Sequence, residues 1–468
     1  MQRKPTPRSK IYRLVTEFEE KVEGQYFHVF DDNQLIDIIS FYENEKEIFK
    51  AIEAVDLAIS QYKYRVDFYL LKVRLLIKDQ DYIGALKAVR EAENLSPYEF
   101  DLLLKKSKVL YYLKEHAESL EVLDLLRSHH PTRSDESEVL LMEAYIYEAL
   151  KDYDSMFDVL GDALIDSPLR IEALEKMWMA VEFSKRYQDS VDFHLRLIDQ
   201  EPYNAHAWYN LGHAYSCLND YEKAIDALEY SYLILPDFQM AYRDCAELCM
   251  LTSNFRRARI VYEEELARFG PDSELLCDLG ACYLELNENQ LAIQRLMKAH
   301  ALNPDNDEAK YFLATAYVRI DLPKKAIRLL LQALEIEDRR EEYYARLANA
   351  YQKTGELTQA DYFYRKATET GPEQLEVWLE HAKFLYDSKE YAQSLRILEE
   401  AEYHTVGVEL SYCKGACLIQ MNQTEEGVNL LEAAMGENPF AISILNTFAP
   451  EVKLDTKVQS MISYFQED

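Results

Sequence analysis

The sequence predicts an all-α fold of stacked antiparallel helix pairs. Three observations predict it: a 34-residue period, two stretches of helical spacing inside each period, and a shortage of helix-breaking residues.

The period is carried by three ladders. Gly212, Ala246, Gly280, Ala314, Ala348, Ala382 and Gly415 are small or apolar, separated by 34 residues five times and then by 33. Tyr215, Cys249, Tyr283, Tyr317, Tyr351, Leu385 and Leu418 form the second ladder. Ala224, Ala258, Ala292, Ala326, Ala360, Ser394 and Gly427 form the third. Towards the N-terminus the register weakens but continues through Ala144 and Trp178, and through Tyr147 and Val181. Prolines keep near the same phase, among them Pro97, Pro131, Pro168, Pro202 and Pro236.

One unit shows what the period encodes. From Ala205 to Leu218, Trp208, Leu211, Gly212 and Tyr215 recur at helical spacing. Asn219 and Asp220 interrupt the pattern. Tyr221 to Leu235 then aligns Ala224, Ile225, Leu228 and Ser231 on one face, and Pro236 with Asp237 ends the unit. Gly212 and Ala224 lack bulk and let the two helices approach closely. Such a pair cannot bury both faces alone, so it must stack on its neighbours. The composition agrees. The chain has 12 Gly and 13 Pro, where average usage gives roughly 33 and 23.

The pattern Trp208, Leu211, Gly212, Tyr215, Ala224, Pro236 resembles the tetratricopeptide repeat family. Leu276, Leu279, Gly280, Tyr283, Ala292, Ala299 and Pro304 match it again, as do Tyr344, Leu347, Ala348, Tyr351, Ala360, Ala367 and Pro372. The resemblance implies a right-handed superhelical solenoid. About twelve units span 32–441, with an N-terminal extension or cap over 1–31 and capping helices over 442–468. The match is strongest over 205–374. Ser134, Asp135 and Glu136 read as an insertion between units, where the stack is expected to bend or gap. Trp178 stands where the family has Gly or Ala and is expected to push its helices apart. Phe27, Val29 and Phe30 are expected to pack on the first full unit.

Chemistry is hard to find. There is no glycine-rich phosphate loop, no HExxH and no GxSxG. The 10 His are scattered, with His129 and His130 the one adjacent pair. Cys245 with Cys249, and Cys413 with Cys417, lie four apart on apolar faces and read as small core residues rather than zinc knuckles. The 7 Cys, odd in number and unevenly spaced, suggest reduced thiols and a cytoplasmic protein. No cofactor and no metal are expected, and the chain is expected not to be an enzyme. A net charge of -32 opposes nucleic-acid binding and adsorption to anionic membranes. No stretch is long and apolar enough for membrane insertion, and Met1 to Glu20 does not read as a secretory signal.

In the family, the first helix of each unit lines a concave face. Carried onto this sequence, that lining offers His206, Tyr209 and His213, then Arg243, then Tyr311, Thr315 and Arg319, then Arg346, Asn349 and Lys353, then Lys383 and Tyr386. These residues form the candidate groove for a protein or peptide partner. Its bases, set in an acidic chain, suggest an acidic or polar segment. The resulting expectation is a non-enzymatic scaffold or adaptor. The alternatives are a regulatory peptide sensor, or the repeat subunit of a larger assembly such as a secretion or glycan-transfer machine.

Overall fold

A computed structural model describes residues 7–24, 29–129, 133–166 and 171–466. Phe27, His28, His130, Pro131 and Pro168 lie outside the described residues. Among the described residues all regular structure is helical. No helix among them is long and apolar enough to cross a membrane.

The chain divides into two compact units, Met1–Ala241 and Tyr242–Asp468. In the first, helix Pro7–Val22 precedes a run of antiparallel pairs. They begin with Asp32–Asn44 and Ile48–Gln61 and end with Ala205–Cys217 and Tyr221–Ile234. The second unit repeats the plan, for example in Ser273–Glu285 with Asn289–Leu302 and in Glu341–Thr354 with Leu357–Thr370. The core is a string of local clusters along each stack rather than one centre.

The ladders do what their side chains allow. A Cβ added at Gly212 would lie 2.8 Å from Leu228 Cγ and 3.1 Å from the Ala224 carbonyl oxygen. At Gly280 it would lie 2.5 Å from Leu296 Cγ, and at Gly415 2.8 Å from Leu431 Cγ. The first ladder is therefore the line of closest approach inside the pairs. The second ladder supplies carbonyls that close the turns. Asp220 N–H donates to the Tyr215 carbonyl at 3.0 Å, Glu288 to Tyr283 at 2.8 Å, and Leu322 to Tyr317 at 2.8 Å. This is a Schellman closure, and it requires a left-handed residue just before the donor. The described turns supply one each time: Lys46, Gln80, Lys114, Lys151, Lys185, Asn219, Ser253, Asn287, Asp321, Gly355, Lys389 and Asn422, all with φ between 58° and 82°. Glycine fills that position once, which is how the chain makes so many reversals with so little glycine.

Three local expectations meet the structure differently. Residues 134–136 do not form a gap. They lie within helix Arg133–Leu150, which runs to 18 residues where Ala205–Cys217 has 13. An insertion at a helix N-terminus is absorbed by adding a turn. Val29 does not pack inward and is exposed, while Phe30 is fully buried beside Phe18. Trp178 acts as expected. The pair Ile171–Ser184 and Tyr187–Gln200 is the most loosely joined of the helix pairs with described contacts, and the indole lies partly exposed at its edge.

Candidate functional site

Within each unit the first helices of successive pairs touch. Val66–Lys78 meets Phe100–Tyr112, Ile171–Ser184 meets Ala205–Cys217, Asp307–Arg319 meets Glu341–Thr354, and Glu341–Thr354 meets Leu375–Asp387. Successive second helices stand apart, and clefts open between them. One cleft lies between Tyr153–Asp166 and Tyr187–Gln200, lined by Phe157, Arg186 and Arg196. Another lies between Leu357–Thr370 and Tyr391–Ala401, lined by Arg365, Gln393 and Arg396. A stack crowded along one side and splayed along the other curves towards the crowded side. The first helices therefore line the inside of each unit's curve.

Electrostatics mark the same side. Glu380 is exposed, yet loss of solvation pushes its carboxyl above the usual range, with Arg346 opposing the rise. Asp278, half-buried, is pushed up to about 7, first by desolvation and then by the Glu247 charge. Desolvation of this kind marks a carboxylate crowded by neighbouring protein.

The expected groove residues fall into three groups. His206, Tyr209 and His213 belong to the first unit and the remaining nine to the second. Tyr209, Thr315 and Tyr386 are buried, so as contact anchors they are corrected: their surface is already spent on packing. Tyr209 lies 4.9 Å from the Phe238 ring, which also stacks on His206 at 4.8 Å. Tyr386 is covered by the C-terminal segment. Its ring packs on Phe448 at 4.9 Å, and its hydroxyl donates to Glu451 at 2.5 Å. The five bases are all engaged. Arg243 reaches Glu265, Asp272 and Glu274 at 3.2 Å each. Arg319 donates to the Leu284 carbonyl and lies 3.5 Å from Glu285. Lys353 donates to the Val318 carbonyl at 3.0 Å, and Lys383 pairs with Asp387. Arg346 is held charged against desolvation by Tyr311 and Glu380. Tyr311 stacks on Tyr343 at 4.9 Å, and Asn349 lies near Tyr364, whose hydroxyl donates to Gln352 Oε1 at 3.3 Å.

Sequence reasoning set only Glu247 and Glu285 against these bases and passed over three further acids. Asp244, Asp278 and Glu380 occupy the same register position as Arg346, at multiples of 34 residues. The ladder that selected Arg346 thus carried the acids as well.

Six of the seven thiols, from Cys245 to Cys417, are buried and in no disulfide. Cys282 donates to the Phe255 carbonyl at 3.2 Å, and burial pushes it up to about 12. Cys417 donates to Ser394 Oγ at 3.3 Å and is pushed up to about 11 by burial. Cys282 and Cys417 are protonated core residues, not nucleophiles. Cys217 differs. It is partly exposed and lies beside His213 and Glu182 on the inner face.

Sequence profiles of the tetratricopeptide repeat match residues 195–226, 283–351 and 341–373. The BBSome complex member BBS4 homolog of Drosophila melanogaster is 19% identical over 456 residues, covering 91% of this chain and 92% of its own length. Tetratricopeptide repeat protein 21B of Mus musculus is 23% identical over 331 residues, which are 64% of this chain and 25% of that longer protein. Among solved structures, the Cut9–Hcn1 hetero-tetramer of the APC/C aligns over 92% of this chain and 93% of its own at 14% identity, with a TM-score of 0.41.

Proposed function

We propose that this chain, which is a tetratricopeptide-repeat protein, is a non-enzymatic scaffold that holds a polar protein segment along the inner face of its first helices. The observation that carries this reading is a row of desolvated charges at one register position, Glu380 exposed and Asp278 and Arg346 partly buried. That position carries Asp244, Asp278, Arg346 and Glu380, acids beside one base rather than a basic strip, so the wall suits a segment with mixed polar groups and an accessible backbone. Tyr311 and Asn349 add an aromatic face and an amide within the same unit. Charge steering of a purely acidic partner is the weaker form of the reading, because each base already has an acceptor. Seven cysteines outside any disulfide support a cytoplasmic setting.

A second reading has one observation in its favour. The similarity to a protein named as a complex member runs nearly end to end in both chains. This supports a repeat subunit of a larger assembly, in which the inner face holds a neighbouring subunit permanently.

Partner capture tests both. Arg319→Glu with Lys353→Glu alters exposed inner-face bases, while Lys324→Glu with Arg328→Glu alters exposed bases on the second helix Pro323–Leu334. The inner variant is expected to lose at least about ten-fold in affinity, with only a small drop in melting temperature from the lost contacts to the Leu284 and Val318 carbonyls. Equal capture by both variants defeats the inner-face reading. One stoichiometric partner resistant to high salt selects the assembly reading over the peptide-binding scaffold.

A further inference from the structure

Glu182, His213 and Cys217 converge within the first unit. Cys217 and His213 are four residues apart on helix Ala205–Cys217, hence on one face. Glu182 comes from the neighbouring first helix, Ile171–Ser184. Glu182 Oε2 lies 3.5 Å from His213 Nε2 and 3.5 Å from Cys217 Sγ, and Cys217 Sγ lies 3.8 Å from His213 Nε2. The carboxylate–imidazole separation is too long for a good hydrogen bond, which falls near 2.7–3.2 Å. It is close to the edge of a coordination tetrahedron. With Zn–S about 2.3 Å, Zn–N about 2.0 Å and Zn–O about 2.1 Å, tetrahedral edges are about 3.4–3.6 Å.

We propose that Glu182, His213 and Cys217 form a binding site for one zinc ion, bridging two successive first helices. The set is mixed sulfur, nitrogen and oxygen, which suits zinc better than calcium or magnesium. Three protein ligands leave the fourth position to water. All three residues are partly exposed, so an ion has an entry path. The Trp178 ring meets the His213 imidazole edge-on at 6.1 Å, and Trp178 stands one helical turn before Glu182. The wedge that loosens the pair Ile171–Ser184 and Tyr187–Gln200 thus also orients a ligand. In the metal-free chain the Cys217 thiol donates to Glu182 Oε2. Metal binding therefore releases that proton, and the bound dication relieves the crowding of thiolate and carboxylate. Functionally, the ion adds a bond between Ile171–Ser184 and Ala205–Cys217, two first helices that already touch.

The test uses the full chain, stripped with chelator and titrated with zinc against a chromophoric competitor. One tightly bound zinc per chain is expected, with a rise in melting temperature. Cobalt in place of zinc should give a thiolate charge-transfer band. Cys217→Ser should abolish that band, and Glu182→Gln or His213→Gln should each weaken zinc at least about 10-fold. Glu182→Gln preserves shape at a partly exposed position, so its metal-free melt should match the wild type and keep the comparison valid. No tight zinc, no thiolate band, or equal affinity in wild type and Cys217→Ser each overturns the proposal.

Discussion

Two adjacent helix pairs of the first unit are built to one plan and differ in how closely they fit. In the pair Ala205–Cys217 and Tyr221–Ile234, Gly212 faces Ala224 and Leu228 at contact distance. In the pair Ile171–Ser184 and Tyr187–Gln200, the register puts Trp178, Ser190 and His194 in those places. The glycine lets the first pair close. The indole cannot fit between helices, so it leaves through the edge, and the second pair stays open. The interior there sets a polar pair, Ser190 and His194, among apolar side chains such as Met177, Val181 and Leu197. His194 is fully buried, its Nδ1 donates to the Ser190 carbonyl at 2.8 Å, and its Nε2 has no hydrogen-bond partner. The lesson is that a repeat tolerates one bulky residue on its closest line of approach by giving up local packing. The neighbouring repeats keep the stack continuous.

The largest effect should come from forcing the tight pair open. Gly212→Leu places branched carbon where even a Cβ meets Leu228, and should cost about 3 kcal/mol or more. Thermal and denaturant melts measure it. Loss of less than about 1 kcal/mol would mean that the tight pair relaxes as easily as the loose one.

The buried histidine gives the next effect and a pH signature. Desolvation lowers its pKa from 6.5 to about 4. The unfolded chain therefore takes up the proton first as pH falls, so the native state loses stability between about pH 6.5 and 4. The loss from this group reaches up to about 3 kcal/mol. His194→Leu, which copies Leu228 of the tight pair, should remove that part of the pH dependence and raise stability at pH 5. An unchanged slope would place the pH response elsewhere.

Removing the wedge is expected to do less. Trp178→Ala gives up the contact with His213 but lets the pair close, a net change of about 1 kcal/mol. The informative readout is amide exchange, which should slow in Tyr187–Gln200. Faster exchange there would show that the indole holds the pair together rather than apart.

The smallest effect compares the two turns. Lys185 and Asn219 share the left-handed position, at φ 59° and 61°. A left-handed lysine costs about 1–2 kcal/mol, of which glycine's chain entropy returns part. Lys185→Gly should therefore stabilise by about 0.5–1 kcal/mol. Asn219→Gly should change little, because asparagine accepts this conformation more readily. Equal shifts in the melting temperature would show that the turns are not under conformational strain.

The sequence by itself determined the repeat, and the reason is local. A helix pair is set by spacing within about 34 residues, so Gly212, Tyr215 and Ala224 reveal their roles without reference to distant chain. The same held for Trp178, whose bulk at a small position announced an open pair. The turns were not legible. Lys, Gln and Ser carry no mark of positive φ, and the conformation is imposed by the carbonyl of the second ladder. The site was half legible. The register selected Arg346 and Lys383, yet the carboxylates that engage them and the burial of Tyr209, Thr315 and Tyr386 depend on which neighbours lie across the stack. Tyr386 is the clearest case, covered by Phe448 and Glu451 from a segment more than a full repeat away. The convergence of Glu182 with His213 and Cys217 was likewise decided by tertiary packing. Residues on different helices meet only when those helices stack, and that distance is not written in any one of them.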